Sequence, residues 1–403
     1  MKQYRRDIIF AVLIFVVALL VRSFIAVPIW AGDLGFYMGD DGNYYWIAIS
    51  LVQHGVFGTE GVPTAYRMPL FPLFAAFWHR LFGIQPYAIL PVLLGLGALI
   101  PVGTYFLGRS VVGQSGGLFA GLLMALDFDL SNFSSLYMTE TLFSFTVLGG
   151  LLAARQLRVT RRWPWAVALG LFFGCATITR ANFAPFVAVA LLWISWYGRD
   201  QFWPTMRHVA VVSALVITLW APWVVRNYLV FGTLIPFTTQ GGNAYAGIYN
   251  DVVTQDASRD YGSWINHIPD LPARPGHVWT EVELDQYQRE EAFTWIRANP
   301  GQALMVALMQ LVYLWEPIDD RWNWLLTVGL GLPALLVFTL RRRQPECILW
   351  LTLVATISAL AVVSVGVARY QLPLRPILAV MMTLFIINIV QRFVTLRQRR
   401  TSA

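Results

Sequence analysis

The chain has 403 residues, of which 57% are hydrophobic and only 13% are charged. Soluble domains carry about 25% charged residues, and here the apolar residues form long runs, so the composition excludes an ordinary soluble protein. The formal net charge is +7, but the basic residues lie at the ends of apolar runs, which indicates orientation in a membrane and argues against nucleic acid as a partner.

The apolar runs predict an all-α, polytopic membrane bundle with about ten spans, although several runs are shorter than a typical span of about 20 residues. The predicted spans are 8–30, 87–107, 114–130, 141–156, 164–180, 183–198, 208–226, 323–340, 347–367 and 372–391. No repeat of fixed period and no low-complexity linker divides the chain. We therefore expect residues 1–403 to form a single membrane-embedded domain.

Clusters of basic residues set the predicted orientation. They are Lys2, Arg5 and Arg6; Arg155, Arg158, Arg161 and Arg162; Arg199 and Arg207; Arg341, Arg342 and Arg343; and Arg392, Arg397, Arg399 and Arg400. If both termini are cytoplasmic, every cluster falls on the cytoplasmic side, as the positive-inside rule requires. The two large connections, 31–86 and 227–322, then lie on the outer face, where we expect the site because such loops carry sites.

Three segments in these outer loops are predicted to be helices that do not span. Residues 68–83 are apolar but short and polar at one end. Residues 301–315 are apolar enough to span, but if they crossed, the basic cluster at 341–343 would lie outside, so we predict an interfacial or re-entrant helix. A helix of mixed charge over 281–298 leads into it.

Acidic residues at the outer ends of spans are the first candidates for chemistry. Asp40 and Asp41 follow the first span and precede a predicted helix, where they would act as helix-capping charges or as a general base or metal ligand. Glu140 opens the fourth span, where it is either a favourable N-terminal charge or a carboxylate with a functional partner. Asp127 and Asp129 are predicted to lie at the same face. We select Asp40, Asp41 and Glu140 as candidate catalytic residues.

Arginines at the outer ends of spans need a reason other than the positive-inside rule. Arginine binds phosphate in a bidentate manner and stays charged, and a lipid phosphate would lie at this depth. Snorkelling to ordinary membrane lipids is the alternative. The residues predicted to contact the substrate are Arg67, Arg180, Arg226, Arg369 and the adjacent Tyr370.

Other common sites are not indicated. The sequence has no phosphate-binding glycine loop, G-x-S-x-G motif or dinucleotide fingerprint, so neither ATP nor a nicotinamide cofactor is predicted. The histidines show no metal spacing, and Cys175 and Cys347 lie in apolar segments as small hydrophobic residues. The paired acids at 40 and 41 could hold a divalent metal. The Gly241-Gly242 pair predicts a turn.

Taken in order, seven motifs resemble those of bacterial GT-C glycosyltransferases that depend on polyprenyl-phosphate sugars, the group similar to dolichyl-phosphate-mannose protein mannosyltransferases. The motifs are G-D-D-G-N-Y-Y-W-I-A, Y-R-M-P-L-F-P-L-F, Y-M-T-E-T-L-F-S-F, T-I-T-R-A-N-F, P-W-V-V-R-N-Y-L-V-F-G, E-A-F-T-W-I-R-A-N-P-G and R-Y-Q-L-P-L-R-P. Each motif is short, and the resemblance depends on their order along nearly the whole chain.

This resemblance implies transfer of a sugar from a polyprenyl phosphate to a glycan, lipid or protein acceptor at the outer face of the bacterial cytoplasmic membrane. It also implies that Asp40 is the catalytic carboxylate of the first outer loop, that Asp41 and Glu140 are accompanying acids, and that Arg369 is the arginine before the last span. Met68 stands where many relatives have a proline, which puts a detailed mapping of that loop in doubt.

Two other function classes are compatible with the sequence. A transporter or flippase of lipid-linked saccharides would share the spans and the arginines, but transporters place polar sites near the bilayer midplane. Here the candidate acids and arginines gather at the outer face, and charges within the spans are nearly absent, with Arg22 as the main exception. A scaffold protein would explain the spans but not the clustered acids and arginines.

Overall fold

In the computed structural model the chain is almost entirely helical. The residues described are 2–31, 39–256, 258, 260–266, 271, 277–342 and 344–401. The helices are α1 Lys2–Ala31, α2 Asp40–His54, α3 Leu70–Phe82, α4 Leu90–Ala125, α5 Phe128–Ser134, α6 Glu140–Thr160, α7 Trp163–Thr179, α8 Ala184–Tyr197, α9 Phe202–Phe231, α10 Gly241–Ala246, α11 Asp251–Gln255, α12 Glu281–Ala298, α13 Pro300–Trp315, α14 Arg321–Trp324, α15 Gly331–Arg342, α16 Pro345–Val363 and α17 Arg375–Thr401. Short 3-10 turns cover Pro86–Ala88, Ala181–Phe183, Arg199–Gln201 and Ala368–Leu374, and a π-helical turn covers Leu325–Leu330.

The strands form one small antiparallel hairpin, in which β1 (Gly58–Thr59) pairs with β2 (Val62–Pro63). The hairpin follows α2, and both belong to the first predicted outer loop. Part of that loop, 32–38, lies outside the described residues.

Seven helical stretches among the described residues are long and apolar enough to cross a membrane. They are Gln3–Ile29, Leu90–Ala125, Glu140–Thr160, Arg199–Phe231, Arg321–Arg341, Pro345–Val363 and Ala368–Thr395. The prediction of an all-α, polytopic membrane protein is confirmed. The count differs from ten because α7 and α8 have only 17 and 14 residues, and because two predicted spans fall on α4.

The interruption in α4 explains that difference. Gly113 has φ 79° and ψ 178°, which are not helical angles. A Cβ placed on Gly117 would lie 2.5 Å from the Arg109 amide nitrogen and 2.7 Å from the Tyr105 carbonyl oxygen. The segment after Gly113 therefore folds back against the segment before it, so that α4 is two closely packed helical arms, as the two predicted spans require.

Helix α6 separates Glu140 from the basic cluster around Arg158. Helix α6 begins at Glu140 and has Arg158 in its last turn, and its 21 residues cover about 30 Å at 1.5 Å per residue. Arg158 pairs with Glu346 at 2.5 Å. The basic cluster around Arg158 therefore lies at the end opposite Glu140, as the predicted orientation requires; which end faces the cytoplasm stays a prediction.

The predicted non-spanning helices form at their predicted places. Helix α12 covers 281–298, and its start is fixed by a capping box between Thr280 and Glu283. Helix α3 buries His79, whose Nε2 lies 2.9 Å from the Tyr137 hydroxyl. On α13, Leu304, Leu308 and Val312 form an exposed apolar row at i, i+4 and i+8. Such a row suits a helix that contacts lipid, and the interfacial or re-entrant placement of α13 stays a prediction.

Candidate functional site

A cavity of about 290 Å³ opens at the end of the bundle where α6 begins. Its walls come from both outer loops and from the ends of spans. The lining includes Asp40 and Tyr44 of α2, Tyr66, Arg67 and Met68, Thr139 and Glu140, Arg180 and Asn182, Gln240, Gly241 and Asn243, Trp264, and Arg369 and Tyr370. Six of the eight predicted site residues line this one cavity.

Five charged side chains form a continuous ion-pair network in the cavity. The two oxygens of Asp40 accept hydrogen bonds from Arg67 Nη2 and Arg369 Nη2. Glu140 Oε1 accepts one from Arg180 Nη2 at 2.5 Å and lies 3.3 Å from Arg369 Nε. Arg369 therefore joins the two carboxylates, and the three guanidinium groups leave one positive charge in excess.

Asp40 and Glu140 differ in the exposure of their side chains. The Asp40 side chain is 28% exposed, whereas the Glu140 side chain is 1% exposed. Glu140 Oε2 has no hydrogen-bond partner among the described residues. A molecule in the cavity can reach Asp40, while Glu140 mainly holds Arg180 and Arg369 in place.

Aromatic rings and uncharged polar groups fix the guanidinium planes. Arg180 lies 4.9 Å from the centre of the Tyr370 ring and donates to Thr139 Oγ1 at 2.9 Å. Arg67 lies 5.0 Å from the Tyr44 ring and donates through Nη1 to Gln240 Oε1 at 3.2 Å. Such cation–π contacts contribute about 0.5–2 kcal/mol each, so the arginines are preorganised around the cavity.

The charge state of Asp40 follows from its neighbours. Burial alone would raise the pKa of its carboxyl group, but the guanidinium groups of Arg67 and Arg369 outweigh burial and hold this pKa below the ordinary value of 3.8. A lowered folded-state pKa stabilises the folded chain above the ordinary value. That contribution is lost only as the pH falls through the folded-state pKa.

We therefore expect Asp40 to stay ionised from neutral pH down to about pH 4. The measurement is an infrared titration of the protein and of Asp40→Asn, in which their difference shows a protonated Asp40 carboxyl only below that pH. A carboxyl band that disappears with the substitution and titrates near pH 6 would contradict the ion pairs.

A narrow apolar crevice adjoins the cavity beside Arg180. Its walls are Phe143, Arg180, Asn182, Phe183, Phe186, Thr356, Ile357 and Tyr370, from α6, α8, α16 and the two 3-10 turns near them. Arg180, Asn182 and Tyr370 belong to both spaces. The crevice encloses only about 10 Å³, so an alkyl chain would have to part α8 from α16 to occupy it.

Two predicted site residues, Asp41 and Arg226, are not among the residues lining the cavity. Asp41 Oδ1 accepts the Gly39 N–H at 3.2 Å at the start of α2. This contact fits the interpretation of Asp41 as a helix-capping charge. Arg226 donates to the carbonyl oxygens of Thr64 at 2.8 Å and Phe57 at 2.7 Å. Arg226 therefore fastens α9 to the segment around the hairpin instead of facing the cavity.

A second ionic group is fully buried inside the helical bundle. Arg375 Nη1 donates to both oxygens of Asp127 at 2.9 Å, and Arg375 Nη2 donates to Asp129 at 2.5 Å. All three side chains are 0% exposed. Arg22 is also fully buried and donates to the Ala125 carbonyl at 3.5 Å. The ion pairs join the start of α5 to α17, Arg22 joins α1 to the end of α4, and none of these residues lines the cavity.

Several cavity residues were not predicted, and more than half of them are polar or aromatic. Gln240 and Asn243 come from a segment where Gly241-Gly242 predicted a turn; this prediction was wrong, because the two glycines begin α10. The Gly242 N–H donates to Asp285 Oδ1 at 2.5 Å. A sequence signal was available in the long, charged α12, whose buried Asp285 needs a partner.

A divalent metal does not fit the acids as they stand. Both Asp40 oxygens are engaged by guanidinium groups. Throughout the described ranges no three His, Cys, Asp or Glu side chains are grouped so that they could hold a metal. A divalent metal was given only as one possibility for the paired acids, and no step below depends on it.

Part of the chain is similar in sequence to a known family. A family model described as dolichyl-phosphate-mannose-protein mannosyltransferase matches residues 63–225. The matched region contains Arg67, Glu140 and Arg180 but neither Asp40 nor Arg369. No curated protein is significantly similar in sequence.

Comparison with solved structures identifies the fold. ArnT from Cupriavidus metallidurans, solved with undecaprenyl phosphate bound, is 16% identical with a TM-score of 0.59; the match covers 93% of this chain and 59% of ArnT. The archaeal oligosaccharyltransferase AglB from Archaeoglobus fulgidus, solved with an inhibitory peptide and a dolichol-phosphate, is 13% identical with a TM-score of 0.54, over 98% of this chain and 52% of AglB. This chain thus spans little more than half the length of either protein. The predicted GT-C, dolichyl-phosphate-mannose-mannosyltransferase-like fold is confirmed.

Proposed function

We propose that this GT-C-fold protein transfers a sugar from a polyprenyl-phosphate donor to an acceptor hydroxyl at the outer face of the bacterial cytoplasmic membrane. The observation that carries the proposal is the cavity in which Asp40 and Glu140 are tied together by Arg67, Arg180 and Arg369. The excess positive charge suits a phosphate, and the partly exposed carboxylate suits a hydroxyl.

The adjoining crevice supports a lipid-borne phosphate over a soluble one. Arg180 and Tyr370 line both spaces, so a phosphate beside them places its prenyl chain at the apolar walls of α8 and α16. These helices belong to the membrane bundle, so a prenyl chain that parts α8 from α16 would reach the crevice laterally from lipid. ArnT and AglB were each solved with a polyprenyl or dolichol phosphate, which makes the same ligand class the first to test.

The position of the cavity supports the outer face. It lies at the end of α6 opposite the arginine cluster, and basic residues favour the cytoplasmic side. Both predicted outer loops, 31–86 and 227–322, contribute to its lining. We propose that the whole chain, 1–403, works as one unit for this reason.

The mechanism follows from these positions. The donor phosphate binds Arg369, with Arg180 beside it, and draws Arg369 away from Asp40. Asp40 then accepts the proton of the acceptor hydroxyl as the oxygen attacks the anomeric carbon. The bond from that carbon to the phosphate oxygen breaks, and polyprenyl phosphate leaves with its new negative charge held by the guanidinium groups. This direct displacement inverts the configuration at the sugar carbon.

Arg369→Gln tests the phosphate role. Losing one preorganised donor to a developing anion typically costs about 100- to 1,000-fold in kcat, and we expect a loss of that size. The assay uses purified protein in nanodiscs with radiolabelled undecaprenyl-phosphate hexoses and pentoses, and it measures the release of undecaprenyl phosphate. Arg297→Gln, an exposed substitution on α12, is the matched control.

The same preparation separates this proposal from its main competitor. A protein that releases no polyprenyl phosphate from any of these donors, but moves the labelled lipid-linked sugar across vesicles, is a transporter. Transfer that survives Arg369→Gln undiminished would overturn the role of this arginine.

A further inference from the structure

Helix α12 presents two carboxylates toward the cavity loops. Glu281 and Asp285 are four residues apart and therefore share one face of the helix. The capping box at Thr280 and Glu283 fixes the start of this helix. Helix α12 therefore holds both carboxylates in fixed positions beside the cavity loops.

Glu281 joins two chain segments that are far apart in sequence. Its Oε2 accepts a hydrogen bond from the Thr64 hydroxyl at 2.5 Å, and its Oε1 accepts from the Ala65 N–H at 2.8 Å and from the Thr239 hydroxyl. The Thr239 N–H in turn donates to the Ala65 carbonyl at 3.2 Å. Hydrogen bonds to a charged carboxylate are roughly twice as strong as neutral ones, so this junction is well anchored.

Asp285 holds the next part of the second segment. It accepts the Gly242 N–H at 2.5 Å. A Cβ on Gly242 would lie 2.1 Å from the Asp285 carbonyl oxygen, so α10 rests directly on α12. The two acids therefore fasten the beginning and the end of the 239–242 stretch to one helix.

The fastened segments carry cavity residues, although Glu281 itself is not among the residues lining the cavity. Arg67 follows Thr64 and Ala65 and binds Asp40 through Nη2, while Gln240 follows Thr239 and binds Arg67 Nη1 at 3.2 Å. We infer that Glu281 is a positioning residue for Arg67 and Gln240, and that it sets the geometry of Asp40 through them. The catalytic consequence of this inference rests on the proposed function.

Removing the charge at Glu281 should loosen both segments. In Glu281→Gln the amide group replaces an acceptor oxygen with a donor, so the Thr64 hydroxyl can no longer donate to that atom, and the negative charge that strengthens all three hydrogen bonds is gone. A displacement of about 1 Å at a reacting group can cost about 100-fold. We expect kcat/KM for the lipid-phosphate sugar to fall about 10- to 100-fold. Glu290→Gln, the same exchange at an exposed position of α12, should leave it unchanged.

A double-mutant cycle separates positioning from general destabilisation. If Glu281 acts through Arg67, adding Glu281→Gln to Arg67→Ala should cost less than threefold further, because the group it positions is already absent. A structural role would lower the activity of the Arg67→Ala protein by the same factor as that of the parent. Thr64→Ser, which keeps the hydroxyl, should retain activity, and Thr64→Val should not.

Hydrogen exchange tests the hydrogen bonds of Glu281 in a measurement that does not depend on sugar transfer. In Glu281→Gln the amides of 64–67 and 239–242 should exchange at least about tenfold faster while α6 and α16 are unchanged. Unchanged exchange in these segments, unchanged transfer or full additivity with Arg67→Ala would each overturn the inference. A parent protein that transfers no sugar would refute the proposed function instead, and the exchange result would still decide whether Glu281 holds the segments.

Discussion

Asp40→Asn is expected to abolish sugar transfer and, at the same time, to tighten the binding of polyprenyl phosphate. Loss of a general base typically lowers the rate about 100- to 10,000-fold. Tighter binding follows because Asp40 and the ligand phosphate compete for Arg369: both Asp40 oxygens now accept from guanidinium groups, and asparagine carries no charge to hold them. A gain of about tenfold in affinity corresponds to about 1.4 kcal/mol.

The two effects are measured on the same protein. Single-turnover release of undecaprenyl phosphate gives the rate, and isothermal titration of undecaprenyl phosphate into nanodiscs gives the affinity. Asp41→Asn is the matched control, since Asp41 neighbours Asp40 on α2 but is not among the cavity-lining residues; both quantities should stay within about twofold of the parent. Weaker binding by Asp40→Asn would show that Asp40 supports the phosphate site instead of competing for it.

The competition between Asp40 and the donor phosphate for Arg369 implies an order of steps in the proposed mechanism. Without donor, Asp40 is neutralised by two arginines and has a lowered pKa, which makes it a poor base. Donor phosphate that takes over Arg369 removes one of these partners, so the pKa of Asp40 rises toward its ordinary value. In the proposed mechanism the base would therefore become effective only when the donor is bound, which would limit proton transfer from an acceptor that arrives alone.

Most of the charged cavity residues could be predicted from the sequence, because acids and arginines at the outer ends of apolar runs are few. Asp40, Glu140 and Arg369 stand out on this ground, and the resemblance of short motifs in order pointed to the same positions. The helices were predictable for a related reason, since apolar runs broken by arginines and prolines mark where a chain leaves lipid. The fold class therefore follows from composition and order alone.

The sequence could not predict which acidic side chain forms an ion pair with which arginine. Arg226 and Arg180 both close a predicted span in similar contexts, yet Arg180 enters the cavity whereas Arg226 binds the Thr64 and Phe57 carbonyls. The difference depends on where the β1–β2 hairpin docks, which is a long-range contact without a local pattern. Gln240 was missed for the same reason, because the helix that begins beside it rests on α12 through a long-range hydrogen bond from the Gly242 N–H to Asp285.

Arg375→Met is expected to destabilise the folded protein strongly while leaving the cavity residues in place. The substitution leaves Asp127 and Asp129 buried without their cation, since all three side chains are fully buried and paired. Breaking a buried ion pair on one side costs about 3–5 kcal/mol, because the remaining charge is uncompensated. Unfolding in detergent, followed by circular dichroism as sodium dodecyl sulfate is added, measures this loss.

Arg369→Met is the matched comparison, because Arg369 is paired with acids in the open cavity and stays 24% exposed. It should abolish transfer with a smaller loss of stability, since water and the neighbouring arginines still compensate Asp40 and Glu140. The triple variant Arg375→Met, Asp127→Asn and Asp129→Asn should recover part of the stability that Arg375→Met loses, since it buries no unpaired carboxylate. If Arg375→Met instead unfolded like the parent and lost undecaprenyl phosphate binding, then Arg375 would be a phosphate ligand and the buried group would belong to the site.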